Sequence, residues 1–272
     1  MSSATRYRID GEPAEQVAAD DRGLAYGDGV FRTLAIDDGR IVAWAFQYAR
    51  LAHDCERLAI ECPPAETLLA ELRGLIAAGQ HGVAKIMVTR GSGGRGYTPP
   101  VEPCPRRIVA VNDNFPAIPD TLALEPANIR LAEQPALAGI KHLNRLEQVW
   151  ARRECETRDA ADLAMYDTSG RIVATTMRNL LFRDRAGAWH TPALSRCGIA
   201  GVTRARLAYS AERAGRAVVE TDIARSCLGD YEAAIACNAL SGAIPVTRIA
   251  DTPFAASRSM AEQAHRWLAD TF

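Results

Sequence analysis

The sequence predicts an α+β protein built in two layers or domains. Short alternating apolar segments, typical of strands, are mixed along the chain with longer segments whose apolar residues recur at helical spacing. The proline-rich stretch FPAIPDTLA, residues 114–122, has a composition typical of an interdomain linker. We therefore predict an N-terminal α+β domain over residues 1–113, a linker over 114–122 and a C-terminal domain over 123–272.

The first part of the chain is predicted to contain strands on both sides of two helices. RIVAWAF (40–46) alternates like a short strand, and residues 46–60 and 65–80 carry apolar side chains at helical spacing. Residues 85–91 and 106–113 then alternate as strands around a loop rich in glycine and proline.

The second part of the chain repeats this mixture of strands and helices. Helices are predicted over 143–158, 201–215 and 260–272, and strands over 162–167, 171–176, 179–184, 217–224, 233–238 and 242–249. The sequence therefore contains enough regular elements in each part for a packed core.

The composition argues against several classes of partner. The 272 residues, with 48% hydrophobic and 24% charged residues and a formal net charge of −1, are typical of an ordinary soluble protein. This near-neutral charge gives no electrostatic reason to expect nucleic acid or a membrane as the main partner. No apolar run approaches the roughly 20 residues of a membrane span. The N-terminal MSSATRYRIDGEP also lacks the apolar core of a secretory signal.

The cysteines and histidines argue against disulfide and metal sites. The 7 cysteines are scattered without a C-x-x-C pair, which favours free thiols in a reducing cytoplasm. The 5 histidines are equally dispersed, with no H-E-x-x-H cluster. We expect a cytoplasmic protein without a bound metal.

The choice of lysine at one position indicates amine chemistry. Among 32 lysines and arginines, only Lys85 and Lys141 are lysines. Arginine serves for surface charge and ion pairs, whereas a lysine amine can lose its proton and attack a carbonyl. Lys141, in GIKHLNRLEQ, therefore becomes the candidate for a Schiff base. Lys85 begins an alternating strand, and we interpret it as an edge or rim lysine.

A second segment, CGIAGVTRARL, predicts an anion site. Gly201 is expected to let the backbone turn, so that the N–H groups of Val202 and Thr203 open a helix whose dipole favours an anion. The Thr203 hydroxyl would add a hydrogen bond. Ordinary helix capping explains the same pattern and stays open as the alternative.

Several ordered motifs resemble those of the fold-type IV pyridoxal phosphate enzymes, which include branched-chain and D-amino acid aminotransferases. They are DRGLAYGDGVFRT, RLAHDCERLAI, RGSGGRGYTPP, GIKHLNRLEQ, GVTR and CNAL, and they run through nearly the full chain. RGSGGRGY together with KHLNRLEQ is most similar to the 4-amino-4-deoxychorismate lyases. The resemblance implies a two-domain, D-amino acid aminotransferase-like fold whose C-terminal domain binds the cofactor. It also implies a homodimer.

The resemblance implies pyridoxal 5'-phosphate as the cofactor and assigns residues to it. Lys141 would carry the Schiff base. The residues assigned to the cofactor phosphate are Arg50, Gly201, Val202, Thr203, Asn238 and Ala239.

The resemblance also implies conversion of 4-amino-4-deoxychorismate to 4-aminobenzoate and pyruvate, a step towards folate, with Lys141 as general base. The substrate has two carboxylates, for which Arg90, Arg95 and Arg145 are candidate ligands. Tyr97 is a candidate to pack on the substrate ring. The alternative for each arginine is a solvated charge, and for Tyr97 a structural role.

One position departs from the resemblance. A glutamate that pairs with the pyridine nitrogen is expected five residues before Asn179, where this sequence has Ala174. Elimination that creates an aromatic ring needs a weaker electron sink than transamination, so the change favours a lyase. Thr175 or Thr176 is a candidate for a neutral hydrogen bond to that nitrogen. A D- or branched-chain aminotransferase and a cofactor-binding relative without turnover remain the alternatives.

Overall fold

The computed structural model describes residues 5–270, and the chain divides into two compact units. The first comprises the residues up to Ala117 together with Ile140–Asn144. The second comprises Ile118–Gly139 and the residues from Arg145 onward. The domain limits expected from the sequence, whose outer ends lie outside the described residues, stay a prediction.

The first unit contains an antiparallel sheet of 5 strands with the order β1-β5-β4-β2-β3. The strands are β1 (Arg6–Ile9), β2 (Gly29–Asp37), β3 (Arg40–Ile41), β4 (Gly82–Thr89) and β5 (Arg106–Asn112). The helices are α1 (Arg22–Tyr26), α2 (Trp44–Arg57) and α3 (Ala65–Arg73).

One face of this sheet forms the core of the first unit. Val30, Leu34 and Ile36, at alternate positions of β2, pack in one buried cluster with Leu51 of α2 and Leu72 of α3. Alternation along the strand sends these side chains to one face and leaves the intervening residues on the other. The amphipathic pattern predicted for α2 is thereby confirmed.

Two predicted elements of the first unit are wrong in their extent. The strand expected over 40–46 is reduced to the short β3, because Ala43 has a left-handed φ of 54° and α2 begins directly after it. The helix expected over 65–80 ends at Arg73, since the chain tightens into a turn in which Leu75 donates to a carbonyl three residues back at 2.9 Å.

The second unit contains a 9-stranded sheet, three α-helices and a short 3-10 helix (Arg225–Asp230) in its described part. The strands are β6 (Leu122–Leu131), β7 (Leu163–Asp167), β8 (Ile172–Thr175), β9 (Asn179–Asp184), β10 (Trp189–Pro192), β11 (Val218–Thr221), β12 (Tyr231–Asn238), β13 (Gly242–Ile249) and β14 (Thr252–Pro253). The helices are α4 (Leu146–Thr157), α5 (Val202–Arg213) and α6 (Ser257–Ala269). These confirm the three helices predicted for this part of the chain, although Thr271 and Phe272 of the last one lie outside the described residues.

Six strands of the second sheet close into a ring. The order β11-β10-β9-β12-β13-β6-β7-β8 returns to β9 through the pairing of Ala174 with Asn179. Alternate residues of β9 separate two clusters: Leu180 and Phe182 belong to one, and Leu181 packs in another with residues of α5 and α6. This closure sets Asn179 and the residues just before it at a fixed place on the ring.

Within residues 5–270, no helix is both long enough and apolar enough to cross a membrane.

Candidate active site

The main chain of Lys141 is fixed on both sides within the first unit. Its carbonyl accepts a hydrogen bond from the N–H of Phe31 at 3.0 Å. Its N–H donates to Asp54 Oδ2 at 2.9 Å. The next residue, His142, pairs antiparallel with Val30 of β2. Residues 141–143 therefore form a short antiparallel pairing along the start of β2.

Glycines at the start of β2 allow this segment to approach. A Cβ on Gly27, which has a φ of 65°, would lie 2.5 Å from Asn144 Oδ1, and one on Gly29 would lie 2.9 Å from Leu143 Cδ1. Asn144 also donates from Nδ2 to the Gly27 carbonyl at 3.1 Å. The YGDG sequence is thus required where the backbone and the 141–144 segment meet.

Both lysines of the chain contact the same aromatic ring. Lys141 Nζ lies 4.3 Å and Lys85 Nζ 5.2 Å from the centre of the Phe31 ring. Burial lowers the pKa of Lys85. The sequence predicts Lys85 to be an edge or rim lysine, and the edge is wrong, because β4 lies between β5 and β2 and Lys85 pairs with Thr33 in the middle of the sheet. Its exposed side chain leaves the rim position as a prediction. Two signals in the sequence could have placed Lys85 near Lys141: lysine is rare in this chain, and Lys85 lies on a strand.

Arg50 is brought to the carboxylate that contacts Lys141. Its Nε lies 3.3 Å from Oδ1 of Asp54, four residues later on α2. Two of the residues that the sequence predicts for the cofactor, Arg50 and Lys141, therefore both contact the buried carboxylate of Asp54.

Arg90 is engaged in a buried network beside the glycine-rich loop. Its Nε and Nη2 donate to Asp28 at 2.8 and 3.0 Å, and it also donates to the carbonyls of Leu58 and Ala59 at 2.8 Å. Burial raises the pKa of Asp28, but hydrogen bonds from Arg90 and Arg22 outweigh this and hold that pKa below its ordinary value. Substrate binding by Arg90 stays a prediction, and its donors already have protein partners.

The other predicted substrate residues lie in different surroundings. Arg95 and Tyr97 are exposed on the loop, and Tyr97 meets Tyr26 edge-on with 5.4 Å between ring centres. Arg22 fixes this loop by donating from Nη2 to the Tyr97 carbonyl at 2.8 Å. Arg145 belongs to the second unit, where it is the N-cap residue immediately before α4.

In the second unit, Asn179 fixes the start of α5. Its Oδ1 accepts from the Gly201 N–H at 3.0 Å, and its Nδ2 donates to the Ile199 carbonyl at 2.7 Å. Gly201 has an ordinary φ of −73°, so the backbone freedom expected from the sequence is not what requires glycine here. Space is the requirement, because a Cβ at this position would collide with Asn179 Oδ1.

The first turn of α5 fits a phosphate group. Within residues 5–270, the N–H groups of Val202, Thr203 and Arg204 have no hydrogen-bond acceptor. The Thr203 side chain is 3% exposed, and its hydroxyl likewise has no partner in that range. Four donors at a helix N-terminus, one of them on a buried side chain, suit an anion.

The turn between β12 and β13 is fixed by its own asparagine. Asn238 Oδ1 accepts from the N–H groups of Leu240 and Ser241 at 3.0 and 2.8 Å, and from Ser241 Oγ at 2.9 Å. The side-chain oxygen of Asn238 is thus engaged within the turn. The N–H of Ala239 has no acceptor among the described residues. Unlike the N–H groups of Leu240 and Ser241, it could therefore donate to a ligand.

The residues that follow Ala174 form a buried polar network, although Ala174 itself has no polar side chain. Asp162, completely buried, accepts from Thr175 Oγ1 at 2.8 Å, from Thr176 Oγ1 at 2.6 Å and from Arg178 Nη1 at 2.6 Å. Both threonine hydroxyl protons are therefore donated to Asp162. In this arrangement neither threonine has a proton left for the hydrogen bond to a ring nitrogen that the sequence suggested.

Residues 29–249 match the family model described as amino-transferase class IV, and the chain belongs to this family of enzymes. It is 32% identical to aminodeoxychorismate lyase of Vibrio harveyi over 250 residues, which cover 89% of this chain and 91% of that one. The crystal structure of 4-amino-4-deoxychorismate lyase from Pseudomonas aeruginosa superposes with a TM-score of 0.89 at 40% identity, covering 98% of this chain and 100% of that chain.

A hypothetical aminotransferase from Mycobacterium tuberculosis, in its PLP-bound form, shares the fold at 18% identity with a TM-score of 0.81, covering 98% of each chain. The fold-type IV class and the family resemblance predicted from the sequence are confirmed by these matches.

The sequence predicts that the first turn of α5 binds the phosphate of pyridoxal phosphate, and on that prediction Gly201→Ala should weaken binding of this cofactor about 10-fold or more. The helix start must shift when the added Cβ meets Asn179, which would remove an N–H···phosphate bond. Titration of the apoprotein with the cofactor, followed by absorbance, measures the change. Gly229→Ala is the matched control, since no atom lies within 4 Å of the added Cβ. Unchanged affinity in Gly201→Ala would contradict the assignment.

Proposed function

We propose that this chain is an aminodeoxychorismate lyase, which converts 4-amino-4-deoxychorismate to 4-aminobenzoate and pyruvate for folate synthesis. The observation that carries the proposal is Lys141, whose main chain is fixed on both sides while its amine lies over Phe31. Full-length similarity to two lyases, at 32% and 40% identity, favours this reaction over that of the aminotransferases in the same family.

Pyridoxal 5'-phosphate is the proposed cofactor, and when bound it supplies the electron sink for breaking a bond at the carbon that bears the substrate amine. Lys141 would hold its aldehyde carbon. Arg50, the first-turn N–H groups of α5, the Thr203 hydroxyl and the Ala239 N–H would bind its phosphate. These groups supply both a positive charge and neutral donors, as a phosphate requires.

Lys141 Nζ is also the proposed base, once the substrate amine has displaced it from the aldehyde carbon and freed its own amine. In its neutral form it takes the proton from the substrate carbon bearing nitrogen, and it returns a proton as pyruvate leaves. The fixed main chain limits where Nζ can travel, and the Phe31 ring covers one side of its path. A short, restricted path favours transfer of the proton to one position on the substrate.

Lys85 is proposed to bind one of the two substrate carboxylates. It contacts the same ring as Lys141, and no carboxylate in residues 5–270 forms an ion pair with it. Because burial lowers its pKa, a bound carboxylate would favour its charged form. The exposed Arg95 is the proposed ligand of the second carboxylate, and Arg90, Arg145 and Tyr97 remain candidates.

The surroundings of Ala174 support a lyase in preference to an aminotransferase. The one carboxylate in the adjoining network, Asp162, forms an ion pair with Arg178 at 2.6 Å and accepts from two threonines, so it does not replace the missing glutamate. Aromatisation of the product ring drives elimination, whereas transamination depends more strongly on the electron sink.

A homodimer is proposed as the working form. The side chains of Leu146, Val149 and Trp150 on α4 are 82%, 54% and 56% exposed, an apolar group that a second subunit would cover. The seven free cysteines suit a reducing compartment, and we propose the cytoplasm.

Lys141→Ala is expected to reduce 4-aminobenzoate formation by at least about 100-fold, because it removes both the cofactor lysine and the base. The measurement is a coupled assay supplied with chorismate, glutamine and an aminodeoxychorismate synthase, without a keto acid. Wild-type protein should release pyruvate and 4-aminobenzoate in equal amounts. A wild-type rate in Lys141→Ala, or a requirement for a keto acid in the native protein, would refute the lyase mechanism.

Lys85→Met is expected to raise KM for aminodeoxychorismate about 10-fold, with a smaller change in kcat, since it removes a charge that binds the substrate before and during the reaction. Steady-state kinetics in the same assay separate the two constants. Lys85→Arg keeps the charge and should stay within about threefold of wild type. An unchanged KM in Lys85→Met would place this lysine outside the substrate site.

A further inference from the structure

Two charged residues occupy core positions of the first unit. Arg32 lies on the face of β2 that also carries Val30 and Leu34, and Asp54 lies among the buried residues of α2 beside Cys55. The side chains of Arg32 and Asp54 are 2% and 0% exposed. They form an ion pair between Arg32 Nη2 and Asp54 Oδ2 beside the apolar cluster of this unit.

An ion pair in this position is poor at stabilising the fold. Both charges lose their hydration, and burial lowers the pKa of Arg32 to about 10 although Asp54 acts to raise it. Replacing a buried pair with apolar residues of similar size is often neutral or stabilising. Stability alone therefore does not explain why a strand and a helix each place a charge in this core.

The carboxylate of Asp54 has further contacts that do point to a role. Its Oδ2 accepts the N–H of Lys141 at 2.9 Å as well as the bond from Arg32. Its Oδ1 lies 3.3 Å from Arg50 Nε. Arg32 in turn donates to the main-chain carbonyl of Arg50 at 3.3 Å. One buried pair thus contacts the main chains of both Lys141 and Arg50, and the side chain of Arg50.

We propose that Asp54, held in place by Arg32, is a positioning residue for cofactor binding, an inference that rests on the proposed roles of Lys141 and Arg50. It restrains the segment that presents the Lys141 amine. It also sets the orientation in which the Arg50 guanidinium meets the phosphate. A charge buried in the core keeps its geometry better than an exposed partner, because neither water nor salt competes for it.

The test separates positioning from stability. The variant Arg32→Met with Asp54→Leu replaces the pair with apolar side chains, so its melting temperature should stay close to that of wild type. Its affinity for pyridoxal phosphate should fall about 10-fold or more, and by more than its affinity for pyridoxal, which lacks the phosphate. Asp54→Asn, which keeps the shape of the side chain, should show the same preferential loss.

Glu71→Gln is the matched control. Glu71 is 8% exposed and forms its ion pair with Arg107 at 2.7 Å, in the same unit and away from Asp54. It should lower the melting temperature and leave the ratio of the two affinities unchanged. An equal fall of the ratio in Glu71→Gln would mean general loosening and would overturn the role of Asp54.

Arg50→Met distinguishes the proposed phosphate-binding role of Arg50 from the proposed positioning role of Asp54. If Arg50→Met weakens pyridoxal phosphate binding and adding it to the Arg32/Asp54 variant causes less than about a threefold further loss, Asp54 acts through Arg50. If Arg50→Met weakens binding while the Arg32/Asp54 and Asp54→Asn variants retain full affinity, the positioning role is wrong and the cofactor site stands. If Arg50→Met itself has no effect, both the phosphate role of Arg50 and the positioning role fail.

Discussion

Lys141 can present its amine at one place because its carbonyl accepts from a strand and its N–H donates to a carboxylate buried between that strand and a helix. The first unit is arranged around this restraint. Gly27 and Gly29 leave room for the segment, and Phe31 lies below the amine. Without these contacts the main chain at Lys141 would be freer to move, and holding the amine in one place would cost more conformational entropy.

In the second unit, the donors at the start of α5 that we propose for the cofactor phosphate are set by a few side-chain contacts. Asn179, at the point where β8 and β9 close the ring of strands, accepts the N–H of Gly201. The next three N–H groups have no acceptor among residues 5–270. Arg178, next to it, links the buried Asp162 to the β12–β13 turn through Ser241 at 3.3 Å. The donors at the start of α5 are therefore main-chain N–H groups, whose position depends on the strands that hold Asn179.

The sequence predicted the fold class and the main helices because apolar periodicity and ordered motifs are local signals. It failed where tertiary contacts decide: Ala43 turns the chain out of a predicted strand, and Lys85 is in a central strand although its neighbours alone suggest an edge. Nothing local in FRT or HDC indicates that Arg32 and Asp54 meet in the core, since the two residues are 22 positions apart and both are charged. The reason for Gly201 was also hidden, because it lies in a side chain from another strand.

Which of the two lysines holds the cofactor can be measured directly. Reduction of the cofactor-loaded protein with sodium borohydride fixes a pyridoxyl group to whichever lysine holds the cofactor, and peptide mass spectrometry locates it. Since Lys85 and Lys141 are the only lysines of the sequence, we expect the added mass on the peptide that contains Lys141 and none on the peptide that contains Lys85. A pyridoxyl group on Lys85, or on neither lysine, would contradict it.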